Sequence, residues 1–138
     1  MSVSLVKREC YDNPVNSAIE LCNGFASLKS DHNVLIKPNL VMGADRRVMP
    51  PFGKVTTSRA VEQLIQALSD HGCRKISIGE GAIVLPEFGS NTAAALKFSG
   101  IDRIAQRYGV TLIDFEGSEH KKVEINGHTF KIAAPAME

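Results

Sequence analysis

The chain has 138 residues, 43% of them apolar, which is enough for one domain with a packed core. Lys plus Arg is 16 against 15 for Asp plus Glu, so no charge excess points to nucleic acid or an anionic membrane as partner. No apolar run nears the roughly 20 residues needed to cross a bilayer, and no signal peptide is visible, so the expected setting is cytoplasmic.

Val3 to Lys7 alternates apolar and polar residues and predicts a first strand. Asn13-Pro14 reads as an N-cap followed by the first helical residue, where proline lacks only an N–H that would be orphaned anyway. Val15, Ile19, Cys22 and Ala26 follow at helical spacing, widened by Ala18, Leu21, Phe25 and Leu28. Asn33 to Lys37 is short and apolar without alternation, the pattern of a strand covered on both faces. Pro38 cannot donate to a ladder, so pairing is expected to stop there.

The stretch from Asn39 to Thr56 is irregular and locally basic, with Arg46, Arg47 and Lys54 against Asp45. A loop of this length in a compact domain is usually functional or disordered. Thr57 caps the clearest helix, with Val61, Leu64, Ile65 and Leu68 on one face and Gly72 just past its end. Lys75 to Ile78 predicts a strand that runs into Gly79-Glu80-Gly81. After a loop from Ala82 to Ser90, Asn91 or Thr92 starts a third helix, which Ser99-Gly100 breaks. Ile101, Ile104, Ala105 and Tyr108 continue helically to Gly109. Val110 to Phe115 is a further strand. Val123 to Ile125, Asn126-Gly127 and His128 to Ile132 form a hairpin with a favoured two-residue turn.

Alternation of strands and helices predicts an α/β fold. It is a mainly parallel open sheet with helices on both faces (a Rossmann-like three-layer arrangement), plus a C-terminal β-hairpin, in a single domain over residues 1–138. In such sheets ligands bind beyond the carboxyl ends of the strands, where the strand order reverses. That rule gathers Lys37 and Asn39, Gly79, Glu80 and Gly81, and Asp114 with Glu116.

Two features point to chemistry at this edge. The helix that begins after Thr57 offers free N–H groups and a partial positive charge. Thr56, Thr57 and Ser58 add hydroxyls, and Lys37 and Lys54 add charge, so a phosphate or carboxylate could be held there. An ordinary cap needs no ligand, however. Glu80 sits between Gly79 and Gly81, which allow close backbone approach to a ligand. It could bind a ribose hydroxyl, ligate a metal, act as a base, cap the next turn or pair with Lys37. No dinucleotide or P-loop glycine pattern follows any strand.

Cys10, Cys22 and Cys73 show no C-x-x-C spacing and are expected to be small buried side chains rather than a disulfide, zinc or iron–sulfur framework. His32, His71, His120 and His128 are expected at the surface, with His71 answering a helix C-terminus. No residue is assigned as a metal ligand, and the sequence does not identify a cofactor.

Several motifs together resemble a known family. Val34-Leu-Ile-Lys-Pro-Asn-Leu-Val41, Gly53-Lys-Val-Thr-Thr57, Ile78-Gly-Glu-Gly81, Phe98-Ser-Gly-Ile101 and Tyr108-Gly-Val-Thr-Leu-Ile-Asp114 occur in the order found in the family called domain of unknown function 362. The resemblance implies an α/β domain of unassigned activity, in a family where some members carry iron–sulfur segments. Those segments are absent from this chain. It further implies that this chain corresponds to the amino-terminal portion of a longer protein. The family is also distantly similar in fold to the amino-terminal domain of nickel-pincer lactate racemases, an analogy that says little about chemistry.

The expected function is binding of a small anionic ligand as part of an enzyme, with a possible link to iron–sulfur redox proteins. Lys37, Asn39, Lys54, Thr56, Thr57, Ser58, Gly79 and Gly81 would bind the ligand, and Glu80 would be catalytic. The alternative is a non-catalytic module that docks a missing domain or a second copy as a homo-oligomer.

Overall fold

The structure, a computed structural model, describes residues 2–43, 55–117 and 119–133. Helix α1 spans Pro14–Leu21, strand β1 Asn33–Ile36, helix α2 Ser58–Asp70 and strand β2 Lys75–Glu80. Helices α3 (Thr92–Ser99) and α4 (Ile101–Tyr108) precede strand β3, Thr111–Asp114. Strands β4 (His120–Ile125) and β5 (His128–Ala133) follow. The fold is α/β, as the alternation predicts. β1, β2 and β3 form a parallel sheet in that order, while β4 and β5 form a separate antiparallel hairpin.

The caps behave as local chemistry requires. Asn13 accepts the Asn16 N–H at the start of α1, Thr57 accepts the Ala60 N–H at the start of α2, and Asn91 accepts the Ala94 N–H at the start of α3. Gly100, at φ +78°, separates α3 from α4, a conformation that a Cβ would disfavour. In the hairpin turn Asn126 and Gly127 both have positive φ, 51° and 77°, which matches the twist of the paired strands.

One face of the sheet makes the core. Ile36 and Ile78 are buried there with Val61, Ile65 and Leu68 of α2, Ala95 and Leu96 of α3, and Ile101, Ile104 and Ala105 of α4. Val34 and Ile76, paired in register, are partly buried against the same cluster. Burying a side chain of this size stabilises the fold by about 1.5–3 kcal/mol.

Several expectations are corrected. Val3 to Lys7 is not a strand; Val3 is 92% and Leu5 98% exposed. Alternation supplies a face, but a strand also needs a neighbour for its backbone groups, and none is paired here. The first helix stops at Leu21 rather than near Leu28. Asn23 turns left-handed at φ +52°, and the Gly24 and Asn23 N–H groups donate back to Ile19 and Glu20. That closes the helix with a Schellman motif.

Among the described residues β1 is an edge strand, and its Leu35 is 53% exposed, so it is not covered on both faces. Of the three cysteines only Cys73 is buried; Cys10 is exposed and Cys22 intermediate. The strand order is sequential, so the described sheet contains no reversal of order. Among the described residues no helix is long and apolar enough to cross a membrane.

β2 runs two residues further than its apolar run predicts. Gly79 and Glu80 pair with Ile113 and Asp114 of β3. Glu80 is therefore the last residue of the central strand rather than the tip of a glycine turn. This register sets the geometry of the site.

Candidate functional site

Because the three strands are parallel, their carboxyl ends share one edge. Lys37 leaves β1 there, Glu80 closes β2, and Asp114 closes β3. Glu80 is 5% exposed. A carboxylate so far from water needs compensating partners. It has two: Lys37 Nζ lies 3.2 Å from each carboxylate oxygen, and the Gly81 N–H donates to Oε1 at 2.9 Å. Lys37 is placed differently, with a side chain 61% exposed. The pair thus has a fixed inner half and an ammonium that faces outward.

Asp114 is anchored from two directions. Its Oδ1 accepts the Glu116 N–H at 2.9 Å and the Gly117 N–H at 3.1 Å. Burial pushes its carboxyl upward, but hydrogen bonds from the Gly117 N–H, the Thr92 hydroxyl and the Glu116 N–H outweigh it. The group is held below its ordinary value of 3.8. Thr92 is buried at the start of α3, and its hydroxyl oxygen also accepts the Ala82 N–H at 3.2 Å. One hydroxyl therefore ties the end of β3 to the loop leaving β2.

Asn39 and Thr56 close the base of the long loop. The Asn39 N–H donates to Thr56 Oγ1 at 2.9 Å, and the Thr56 N–H donates to the Asn39 carbonyl at 2.8 Å. Thr57 is occupied as the cap of α2, and Ser58 is that helix's first residue. Lys54, Arg46 and Arg47 lie outside the described residues.

The sequence-predicted residues thus fall into two small groups. Lys37, Glu80 and Gly81 meet directly, and Asn39 meets Thr56. Gly79 lies inside β2, where a Cβ would stand 2.7 Å from Phe115 Cε1, so the Phe115 ring occupies the room its side chain would take. Two residues that carry much of the local architecture, Thr92 and Ser90, escape a reading by pattern. Each is one polar residue in a loop or at a helix start, and only burial reveals its role. His71 caps α2 and its Nε2 lies 2.9 Å from the Leu28 carbonyl oxygen, with its ring against Phe25. Among the described residues no group of three or more His, Cys, Asp or Glu side chains is arranged to hold a metal ion.

Residues 34–138 match the family model described as Domain of unknown function (DUF362). No curated protein and no solved structure matches the chain, so the fold analogy to the racemases carries no argument.

Proposed function

The chain belongs to the DUF362 family, and from that premise we propose that the domain binds a small anionic ligand at the carboxyl edge of its sheet, as part of an enzyme. The observation that carries this reading is the Lys37–Glu80 pair. A buried carboxylate holds an ammonium at an open strand end, with most of the lysine side chain in solvent. An ammonium has three N–H donors, so Glu80 leaves capacity for a phosphate or carboxylate oxygen.

In this reading Lys37, Asn39, Lys54 and the first turn of α2, with Thr56, Thr57 and Ser58, bind the ligand. Gly79 and Gly81 supply backbone, and Glu80 is the acid–base group. The link to iron–sulfur redox proteins and the cytoplasmic setting belong to the same proposal. A thermal-shift panel of phosphate, carboxylates and nucleotides tests it. At least one member raises the melting temperature of the wild type, and Lys37→Ala abolishes the rise. No rise with any member overturns the reading.

A second reading, docking of another copy of the chain, is favoured by exposed apolar residues. Val3, Leu5 and the hairpin's Ile125 all face solvent. Mass in solution across a concentration series tests it. A strict monomer whose hairpin amides exchange at the same rate at every concentration excludes it.

A further inference from the structure

We propose that residues 40–43, on the segment leaving β1, and the loop leaving β2 are locked into one conformational unit by the hydroxyl of Ser90, and that they open together. Ser90 is 1% exposed. Its hydroxyl donates to the Ile83 carbonyl at 2.7 Å and its oxygen accepts the Gly43 N–H at 3.1 Å. The Ile83 N–H donates to the Val41 carbonyl at 2.8 Å. A closed circuit results: Val41 to Ile83, Ile83 to Ser90, Ser90 to Gly43. The backbone of Ser90 is itself fixed, since Ser90 and Leu85 exchange both N–H to carbonyl bonds at 3.0 Å.

The circuit encloses a strained turn. Val41 has φ +61°, and the Met42 N–H donates to the Leu40 carbonyl at 2.7 Å. A γ-turn of this hand is rare, and a β-branched residue is among the least suited to it. Such a conformation persists only where its surroundings over-determine it. Leu40, on one side, is 1% exposed. Gly43, on the other, packs so closely on α3 that a Cβ would stand 2.5 Å from the Ala94 carbonyl carbon. With both ends anchored, Ser90 and Ile83 hold the middle. Strain that would relax if the loop came free makes release abrupt, because bistable packing does not deform continuously.

The lock stands on geometry alone; its consequence for ligand binding rests on the anion reading. Lys37 and Asn39 lie on the segment that enters the strained turn, so an anion bound there would slow opening of residues 40–43 and the β2 loop.

Amide exchange on the full chain tests the lock. The Ile83 N–H is bonded to Val41, not to Ser90. In Ser90→Ala its exchange accelerates at least tenfold together with that of Gly43. Acceleration of Gly43 alone overturns the proposal, since it shows only the loss of a local bond. Ser90→Cys keeps the shape of the side chain, with a somewhat larger atom that is a weaker donor and acceptor. It accelerates both amides to a smaller extent, and it keeps the test decisive if the alanine variant does not fold. Inorganic phosphate, added to the wild type, slows both amides. If both amides respond to the substitutions but neither phosphate nor any carboxylate or nucleotide of the panel slows them or shifts melting, the lock stands and the anion reading falls.

Discussion

Lys37 and Glu80 meet across the carboxyl ends of β1 and β2, with the ammonium 3.2 Å from both carboxylate oxygens. Glu80 is buried while most of the Lys37 side chain is in water. The two halves of the pair therefore differ in what their loss would cost. Removing the lysine strands a carboxylate in a poorly hydrated place. Removing the carboxylate leaves an ammonium that water can solvate.

Lys37→Met is expected to destabilise the protein by about 1–2 kcal/mol, between the small value of an exposed pair and the larger one of a buried pair. Glu80→Gln on its own retains an acceptor for the Gly81 N–H and costs less. The double substitution recovers part of the loss because no buried charge remains. Urea unfolding of the four proteins measures the coupling. Strict additivity of the two changes would show that the pair contributes nothing.

Asp114 makes stability depend on pH on the acid side. Its folded pKa lies below the ordinary value of 3.8, so its contribution is fully present above that value and is lost as pH falls through the lowered folded pKa. Wild type is therefore more stable than Asp114→Asn at neutral pH, and the gap closes in strong acid. Urea midpoints of the two proteins at pH 7, 4 and 2.5 check the sign. A gap that widens on acidification would contradict the hydrogen-bond assignment.

Two glycines separate steric from conformational demand. At Gly43 an added Cβ meets the backbone of Ala94 and Ala95, which cannot step aside. Gly43→Ala is expected to cost about 3 kcal/mol, the upper end for overpacking. At Gly109, with φ +64° and nothing within 4 Å of the added atom, Gly109→Ala costs about 1 kcal/mol, the price of a left-handed residue. Thermal unfolding should order the two variants in that sense.

The base of the long loop offers a further check. Thr56→Val keeps shape but removes the oxygen that accepts the Asn39 N–H. A loss of about 1 kcal/mol is expected, with faster exchange of the Asn39 amide. Thr57→Ala removes the α2 cap and costs a similar ~1 kcal/mol, but leaves the Asn39 amide protected. Equal acceleration of that amide in both variants would mean that the loop base and the helix cap are not separable.

What the sequence determined by itself was local. Asn13-Pro14, Thr57 and Asn91 announce helix starts because a capping oxygen satisfies N–H groups a few residues away. The α2 stripe, the breaks at Gly100 and Gly109, and the Asn126-Gly127 turn follow from side-chain periodicity and from φ preferences that each residue carries with it. The alternation of these elements is enough for the α/β class. Lys37 and Glu80 could be named from the ends of apolar runs, and their possible pairing is legible once both are set at one sheet edge.

Tertiary structure decided the rest, because it depends on partners distant in the chain. Val3 and Leu5 have the pattern of a strand, but their segment pairs with no strand among the described residues, and they stay outside. β2 continues through Glu80 only because β3 presents Ile113 and Asp114 opposite it. That register, not the flanking glycines, buries the Glu80 carboxylate and commits it to Lys37. The hydroxyls of Ser90 and Thr92 likewise gain their roles from burial among backbone groups up to 47 residues away. An unpaired N–H or carboxylate is costly wherever water is excluded, and which groups lose their water is a property of the packed fold.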